Sequence, residues 1–154
     1  PDASEVEYLS AGLAPSRQLH RARRYPMMRY PWDRTEAALR AMADHGDGVV
    51  PEFDYVNPET GADVLPTMGF TAMMLAAGKI TTPPRRSCSS AFHVVAGRGR
   101  TTIDCHTIEW GPKDTFSAPV FASLFHEADE EAFLMRIHDR PLQEKLGYYE
   151  ERDS

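Results

Sequence analysis

The sequence predicts an all-β fold, a sandwich or barrel of short strands, over residues 67–138. Short apolar segments in this region are separated by glycine and proline turns, a spacing typical of antiparallel sandwiches and barrels. Residues 132–138 also alternate, so their odd-numbered and even-numbered side chains lie on opposite faces of a strand. The odd-numbered face carries Phe133, Met135 and Ile137, and the even-numbered face carries Leu134, Arg136 and His138.

Turn residues divide this region into seven predicted strands. Gly97-Arg98-Gly99 separates the second strand from the third, and a turn near Cys105 and His106 ends the third. Glycine favours such turns because it adopts positive φ angles at no steric cost. The predicted strands are residues 68–75, 90–96, 100–105, 107–110, 115–118, 121–126 and 132–138.

A helix is predicted before the barrel region. Asp33 is its expected N-cap, and Glu36 stands three residues later, as in a capping box. Residues 37–42 are rich in alanine and leucine, which have high helix propensity. Gly46 and Gly48 are expected to end this helix.

A loop and a second helix complete the predicted elements. Residues 47–66 are expected to form a loop, with a turn at 57–61 where asparagine, proline and glycine cluster. Residues 141–146 begin with proline and precede Gly147, which predicts a short closing helix.

Residues 24–32 are predicted to form an extended arm, because proline disfavours helix at its own and the preceding position. Their apolar side chains must pack against the barrel, another subunit or another domain. The expected interface residues are Tyr25, Met27, Met28, Tyr30 and Trp32. The predicted division is an N-terminal region of arm, helix and loop over residues 1–66, followed by the barrel and its closing helix over 67–154.

Composition and charge restrict the classes of function. The 154 residues suit one domain, and the hydrophobic fraction of 42% is enough for one core. A net charge of −6 argues against nucleic acid as a partner. No stretch approaches the roughly 18 apolar residues of a membrane span, so no membrane is expected. Two cysteines, Cys88 and Cys105, make no disulfide framework, which predicts reduced thiols and a cytoplasmic setting.

Five stretches together carry a family pattern. They are YVNPETG at 55–61, LPTMG at 65–69, HVVAGRG at 93–99, WGPKD at 110–114 and DRPLQEKLG at 139–147. They resemble the C-terminal half of the gentisate 1,2-dioxygenase family, two-cupin enzymes that cleave aromatic rings. Close relatives of that family cleave salicylate or 1-hydroxy-2-naphthoate. The resemblance is specific because the stretches recur together, in family order, at matching spacing.

The resemblance implies that this chain is a cupin, a double-stranded β-helix or jelly-roll barrel. It also implies a parent polypeptide whose N-terminal cupin binds Fe(II) through three histidines and opens the ring of a hydroxylated aromatic acid. In that parent this chain would be a non-catalytic domain for structure and oligomerisation, with no cofactor of its own. Its expected partners are the catalytic cupin of the same polypeptide and further copies in a homo-oligomer. The chain alone is expected to be inactive.

Three positions of this sequence match histidine ligands that some family members retain in their C-terminal cupin. These positions are Pro84, Arg86 and Leu124. Proline and leucine have no ligand atom, and arginine stays protonated. His126 matches a second histidine of the motif and shares a strand face with Leu124. One imidazole does not hold iron by itself, so no catalytic residue and no metal site are predicted in this chain.

A second interpretation is a metal-free cupin that binds a small carboxylate in the barrel mouth. If Pro84 and Arg86 face inward, Cys88 and Ser90 do so too, because alternate residues of a strand share a face. The candidate pocket residues are Arg86, Cys88, Ser90 and His126.

The role of Arg86 differs between these interpretations. Three alternatives are open for its guanidinium: it forms two hydrogen bonds with a ligand carboxylate, it pairs with an acid such as Glu127 or Asp129, or it extends to solvent. Arg85 should point the other way, to the surface. A third interpretation, a metalloenzyme with substituted ligands, requires a site assembled from other donors. Those donors are His93, which is expected to face outward, His106, His126, Cys88 and Cys105.

Overall fold

The computed structural model describes residues 29–45 and 49–153, in which eleven strands and two helices form the regular structure. The helices are α1, Trp32–His45, and α2, Arg140–Leu146. The strands are β1, Glu52–Asp54; β2, Gly69–Leu75; β3, Ile80–Thr81; β4, Arg85–Arg86; β5, Ser90–Ala96; β6, Gly99–Ile103; β7, His106–Trp110; β8, Thr115–Ala118; β9, Leu124–Ala128; β10, Ala132–His138; and β11, Glu151–Arg152.

Two antiparallel sheets enclose one hydrophobic interior. The larger sheet has the order β1-β2-β10-β5-β8, the smaller has β3-β9-β6-β7, and β11 pairs with β4. The core takes Phe92, Val94 and Leu134 from the larger sheet and Trp110 and Leu124 from the smaller. The inner faces of the two sheets therefore pack against each other, which confirms the all-β prediction.

Helix α1 covers the outer face of the larger sheet. Leu39 is fully buried and packs against Ala72, Met74 and Phe133. In β2, Ala72 and Met74 alternate with Met73, which belongs to the barrel core. The strand is therefore buried on both faces. Strand β10 divides in the same way, with its odd-numbered residues outside the barrel and its even-numbered residues inside.

The predicted strands agree with the structure in β5, β8 and β10, whose bounds match. The strand predicted at 121–126 is wrong and is replaced by Leu124–Ala128. Phe121 has a φ of 54° and donates its backbone N–H to the Arg86 carbonyl at 2.6 Å, which fixes a turn there. Strands β1, β3, β4 and β11 were not predicted because two or three residues carry no alternation. β1 precedes the boundary predicted after residue 66, yet it pairs along β2.

The start of α1 differs from the prediction by one or two residues. The helix begins at Trp32, so Asp33 lies in its first turn and is not the N-cap. The expected capping box does not form, and the Glu36 carboxylate instead accepts the indole N–H of Trp32 at 3.1 Å. Gly46 and Gly48, which were predicted to end the helix, lie outside the described residues.

Helix α2 ends where the sequence predicts. Gly147 follows the last residue of the helix with a left-handed φ of 76°, and its N–H contacts the carbonyls of Gln143 and Glu144. Glycine suits this position because other residues rarely adopt positive φ. In the described part of the chain, neither α1 nor α2 is long and apolar enough to cross a membrane.

Candidate functional site

A cavity of about 20 Å³ lies between the two sheets. Its lining includes Pro84, Arg86, Cys88, Ser90, Leu124 and Arg136. All three positions that match family ligands are therefore gathered at one place. A space of this size holds about one water molecule, far less than the roughly 300 Å³ of a typical small-molecule pocket.

The residues around this cavity do not fit Fe(II). Pro84 and Leu124 offer no donor atom, and Arg86 is a cation. Arg136 adds a second, buried positive charge. Iron sites are built from neutral imidazoles and carboxylates. Across residues 29–45 and 49–153, no group of three or more His, Cys, Asp or Glu side chains is placed to hold a metal ion.

Of the three alternatives for Arg86, the structure shows pairing with an acid, but the acid is Glu151 and not Glu127 or Asp129. Strand β11 runs antiparallel to β4 and places Glu151 opposite Arg86. Arg86 Nε donates to Glu151 Oε1 at 3.0 Å. Glu127 is engaged by Arg100 instead, with Nη2 at 2.6 Å from Oε1. The sequence did not indicate this partner because the C-terminal segment returns to the barrel through a strand of only two residues.

Arg85 is half-buried, which corrects the expectation of a surface residue. Its Nε donates to the Phe121 carbonyl at 2.7 Å, while the Phe121 N–H contacts the Arg86 carbonyl. The turn before β9 therefore folds over β4 and engages both arginines.

His126 lies inside the barrel but outside the lining of the cavity. Its Nδ1 is 2.8 Å from Thr101 Oγ1, which also accepts the indole N–H of Trp110 at 2.8 Å. Its Nε2 has no hydrogen-bond partner in the part of the chain that the structure describes. Burial, followed by the positive charge of Arg136, lowers the pKa of His126 to about 4. The three side chains link β6, β7 and β9 from within the core.

A second buried network joins β1, β2 and β10, and no sequence motif indicated a site there. The Thr71 hydroxyl donates to Asp54 Oδ1 at 2.6 Å and accepts from Arg136 Nη2 at 3.2 Å. Because its one proton goes to Asp54, His138 Nε2, at 3.1 Å, must be the donor. His138 Nδ1 is then an acceptor for which the described residues supply no partner. The available signal was the alternation of β10, which places Arg136 and His138 on the face of Leu134.

The residues considered for an unconventional metal site are not brought together. His93 Nδ1 lies 3.0 Å from Thr115 Oγ1 on the partly exposed side of the sheet. Cys105 lies at the turn before β7 and His106 begins that strand; both are exposed, with Sγ 3.4 Å from Nδ1. Cys88 is buried, and burial raises the pKa of its thiol. A buried thiol of raised pKa is a poor nucleophile.

Of the five predicted interface residues, the structure describes two. Those outside the described residues are Tyr25, Met27 and Met28. The Tyr30 ring meets Tyr55 edge-on with centroids 5.1 Å apart, and its hydroxyl donates to the Val56 carbonyl at 2.9 Å. Trp32 meets Phe133 edge-on at 5.8 Å. Both aromatic side chains therefore contact the barrel of their own chain.

An apolar groove of about 390 Å³ lies beside Tyr30. Its lining residues are Tyr30, Tyr55, Val64, Leu65, Phe70, Met135 and Ile137. Phe70, Met135 and Ile137 come from β2 and β10, on the outer face that α1 leaves uncovered. The groove is therefore an extension of the outer surface and is separate from the barrel interior.

Stability is expected to fall between pH 6.5 and about 4 because of the two buried histidines. Burial, then Arg136, lowers the pKa of His138 as well as His126 to about 4. The unfolded chain binds protons in this range while the folded chain does not, so stability is lost as the pH falls. We expect a loss of about 1 kcal/mol for each histidine between pH 6.5 and 5.5.

Urea unfolding at closely spaced pH values measures this dependence. The His126→Gln variant should lose about half of the slope, since one of two titrating groups is removed. A slope between pH 6.5 and 5.5 that is the same in both proteins would contradict the assignment of His126 as a buried neutral imidazole.

Comparison with known proteins finds ring-cleaving dioxygenases among the similar proteins. Gentisate 1,2-dioxygenase from a Ralstonia species is 35% identical over 157 residues, which cover 99% of this chain and 44% of the relative. 5-Aminosalicylate 1,2-dioxygenase from a Comamonas species is 36% identical over 135 residues, covering 83% and 36% respectively. The crystal structure of salicylate 1,2-dioxygenase from Pseudoaminobacter salicylatoxidans, in adducts with gentisate, superimposes with a TM-score of 0.79 at 27% identity. That superposition covers 99% of this chain and 44% of the salicylate enzyme.

These similarities and the two-sheet antiparallel barrel define the fold as a cupin of the jelly-roll type. The homologues of this chain are gentisate and salicylate 1,2-dioxygenases, as the motifs in its sequence predicted. It spans less than half the length of the relatives named above. No family model matches the chain.

Proposed function

We propose that this chain is the C-terminal, non-catalytic structural cupin of a gentisate-type ring-cleaving dioxygenase. The observation that carries the proposal is the composition of the barrel interior, where Pro84, Arg86 and Leu124 occupy the positions that match family ligands. Iron binding and ring cleavage would then belong to the other cupin of the same polypeptide. A cytoplasmic setting is part of the proposal, because Cys88 and Cys105 are both unpaired.

The structural role depends on a surface that another cupin covers. The apolar groove is open, and contiguous exposed apolar surface commonly marks an interaction site. A neighbouring cupin is the partner that best accounts for it, because the relatives are more than twice as long as this chain. In this proposal the groove packs against a cupin of the same polypeptide or of another subunit in a homo-oligomer.

A matched pair of variants in the intact protein tests this role. Leu65 lines the groove, whereas Leu146 is an exposed leucine at the end of α2 that does not line it. Leu65→Glu is expected to lower the assembly mass in analytical ultracentrifugation and to reduce gentisate cleavage by more than tenfold. Leu146→Glu should change neither by more than about twofold, because a surface substitution away from a contact has a small effect. If Leu65→Glu also leaves the assembly mass and the rate of gentisate cleavage unchanged, the structural role of the groove is contradicted.

A metal-free cupin that binds a small carboxylate is the second candidate, and two arginines at the cavity favour it. Arg86 and Arg136 both line the space, and guanidinium groups recognise carboxylates. However, Glu151 already engages Arg86 Nε, and the volume of about 20 Å³ is too small for an aromatic acid. Calorimetric titration of iron-depleted protein with gentisate or salicylate decides between the candidates. Saturable binding that is lost in Arg86→Ala would favour the carboxylate-binding cupin.

A further inference from the structure

Arg136 is a buried cation without a carboxylate partner in the described part of the chain. Its side chain is 4% exposed, and no acidic group of the described residues lies within salt-bridge distance of it. Nη2 donates to the Thr71 hydroxyl at 3.2 Å, while Nε is buried and has no hydrogen-bond partner among residues 29–45 and 49–153. A buried charge is costly unless it is paired and hydrogen-bonded.

Asp54 reaches Arg136 only through a neutral hydroxyl, and Glu52 of β1 attracts Arg136 without a salt bridge between them. Asp54 Oδ1 accepts a hydrogen bond from the Thr71 hydroxyl. Asp54 Oδ2 lies 3.5 Å from Arg140 Nη1. Arg86, the other cation at the cavity, donates its Nε–H to Glu151 Oε1. Burial, followed by repulsion from Arg86, lowers the pKa of Arg136. The Arg136 guanidinium is therefore attracted by Glu52 and Asp54 but is hydrogen-bonded to neither.

The 20 Å³ cavity lies between these two arginines. Arg86 and Arg136 both line it, together with the Ser90 hydroxyl and the Cys88 thiol, which are donors without a negative charge. We propose that this cavity binds one monatomic monovalent anion of the chloride class. The anion would accept hydrogen bonds from guanidinium and hydroxyl groups and balance the buried charge of Arg136.

The size of the cavity selects this class of anion. A volume of about 20 Å³ corresponds to one water molecule or one halide. Sulfate, phosphate and carboxylates such as gluconate need more space. A single bound water also fits, but it leaves the charge of Arg136 unbalanced. The inference does not depend on the proposed function, because it concerns only the interior of this barrel.

Thermal unfolding of the intact protein tests the proposal with sodium chloride and sodium bromide against sodium gluconate at equal ionic strength. A ligand that binds only the folded state raises Tm in a saturable way. We expect a rise of about 2 °C at tenfold saturation, because the relatives are more than twice as long as this chain. Arg136→Met should abolish the response. Arg100→Met removes an exposed arginine on β6, and the rise of Tm with halide should be unchanged in this variant. Equal Tm values of the wild-type protein in chloride and gluconate would overturn the proposal, even if Arg136→Met does not fold.

Bromide in crystals of the intact protein locates the ion. An anomalous peak within hydrogen-bond distance of the Arg136 guanidinium, together with the saturable shift in Tm, is the expected result. A cavity that holds only water, or a bromide peak without any dependence of Tm on halide, would overturn the proposal. The activity of the intact protein is not used in either measurement, so failure here is distinguishable from failure of the proposed structural role.

Discussion

Gly97→Ala is expected to lower the free energy of unfolding by about 3–5 kcal/mol, the largest loss among the substitutions considered. Gly97 connects β5 to β6 with a φ of 89°, a region that residues with a side chain rarely adopt. A Cβ atom at this position would lie 2.5 Å from both Cα and Cβ of Ala132 and 2.6 Å from the Glu131 carbonyl. The start of β10 is buried at Ala132 and has no space into which to move. Steric overlap is therefore added to backbone strain.

Gly61→Ala separates these two causes. Gly61 also has a positive φ, 69°, but a Cβ atom there would meet no atom within 4 Å. Backbone strain alone predicts a loss of about 1–2 kcal/mol. Chemical denaturation of both variants measures the difference. Equal losses at the two positions would mean that β10 does not pack against the Gly97 turn as described.

Thr101→Val is expected to lower the free energy of unfolding by about 3 kcal/mol, although valine matches threonine in shape. Thr101 is fully buried, and its hydroxyl contacts both Trp110 Nε1 and His126 Nδ1. The substitution leaves two buried polar groups without partners, and each loss costs about 1–3 kcal/mol. Unfolding should also become less cooperative between β6, β7 and β9, which the network joins.

Thr102→Val is the matched control for this prediction. Thr102 follows Thr101 in β6, but its side chain lies on the opposite face, where its hydroxyl meets Thr107 Oγ1 at 2.9 Å in an exposed contact. Water replaces that partner, so we expect a change within about 0.5 kcal/mol. Denaturant midpoints of the two variants provide the test. A Thr101→Val protein as stable as Thr102→Val would show that the buried network contributes little.

The strands of the barrel were predictable because their signals are local. Residues 90–96, 115–118 and 132–138 have apolar or alternating patterns with clear turns at their ends, and their bounds agree with β5, β8 and β10. The displacement of β9 was not predictable, because it depends on the left-handed Phe121 and its contact with β4. The position of a short strand such as β11 depends on long-range pairing, which periodicity does not report.

The surroundings of the candidate site were harder to predict than its members. The spacing of the family motif predicted which positions match the histidine ligands, namely Pro84, Arg86 and Leu124. These three residues line the same cavity in the structure. The sequence did not reveal that Glu151 engages Arg86, since the two are far apart along the chain. Nor did it identify Arg136 as a lining residue, because alternation places a side chain on a face but does not say what lies opposite.

Across the described residues, the barrel interior brings no group of three or more His, Cys, Asp or Glu side chains together. The iron content of the chain tests most directly the central claim that this cupin does not hold iron. After anaerobic loading of the folded 154-residue chain with Fe(II) and desalting, elemental analysis should give iron well below one equivalent. Circular dichroism of the same sample establishes that the chain is folded. Close to one equivalent of iron, lost in the His126→Gln variant, would contradict the account and identify a metal site in this cupin.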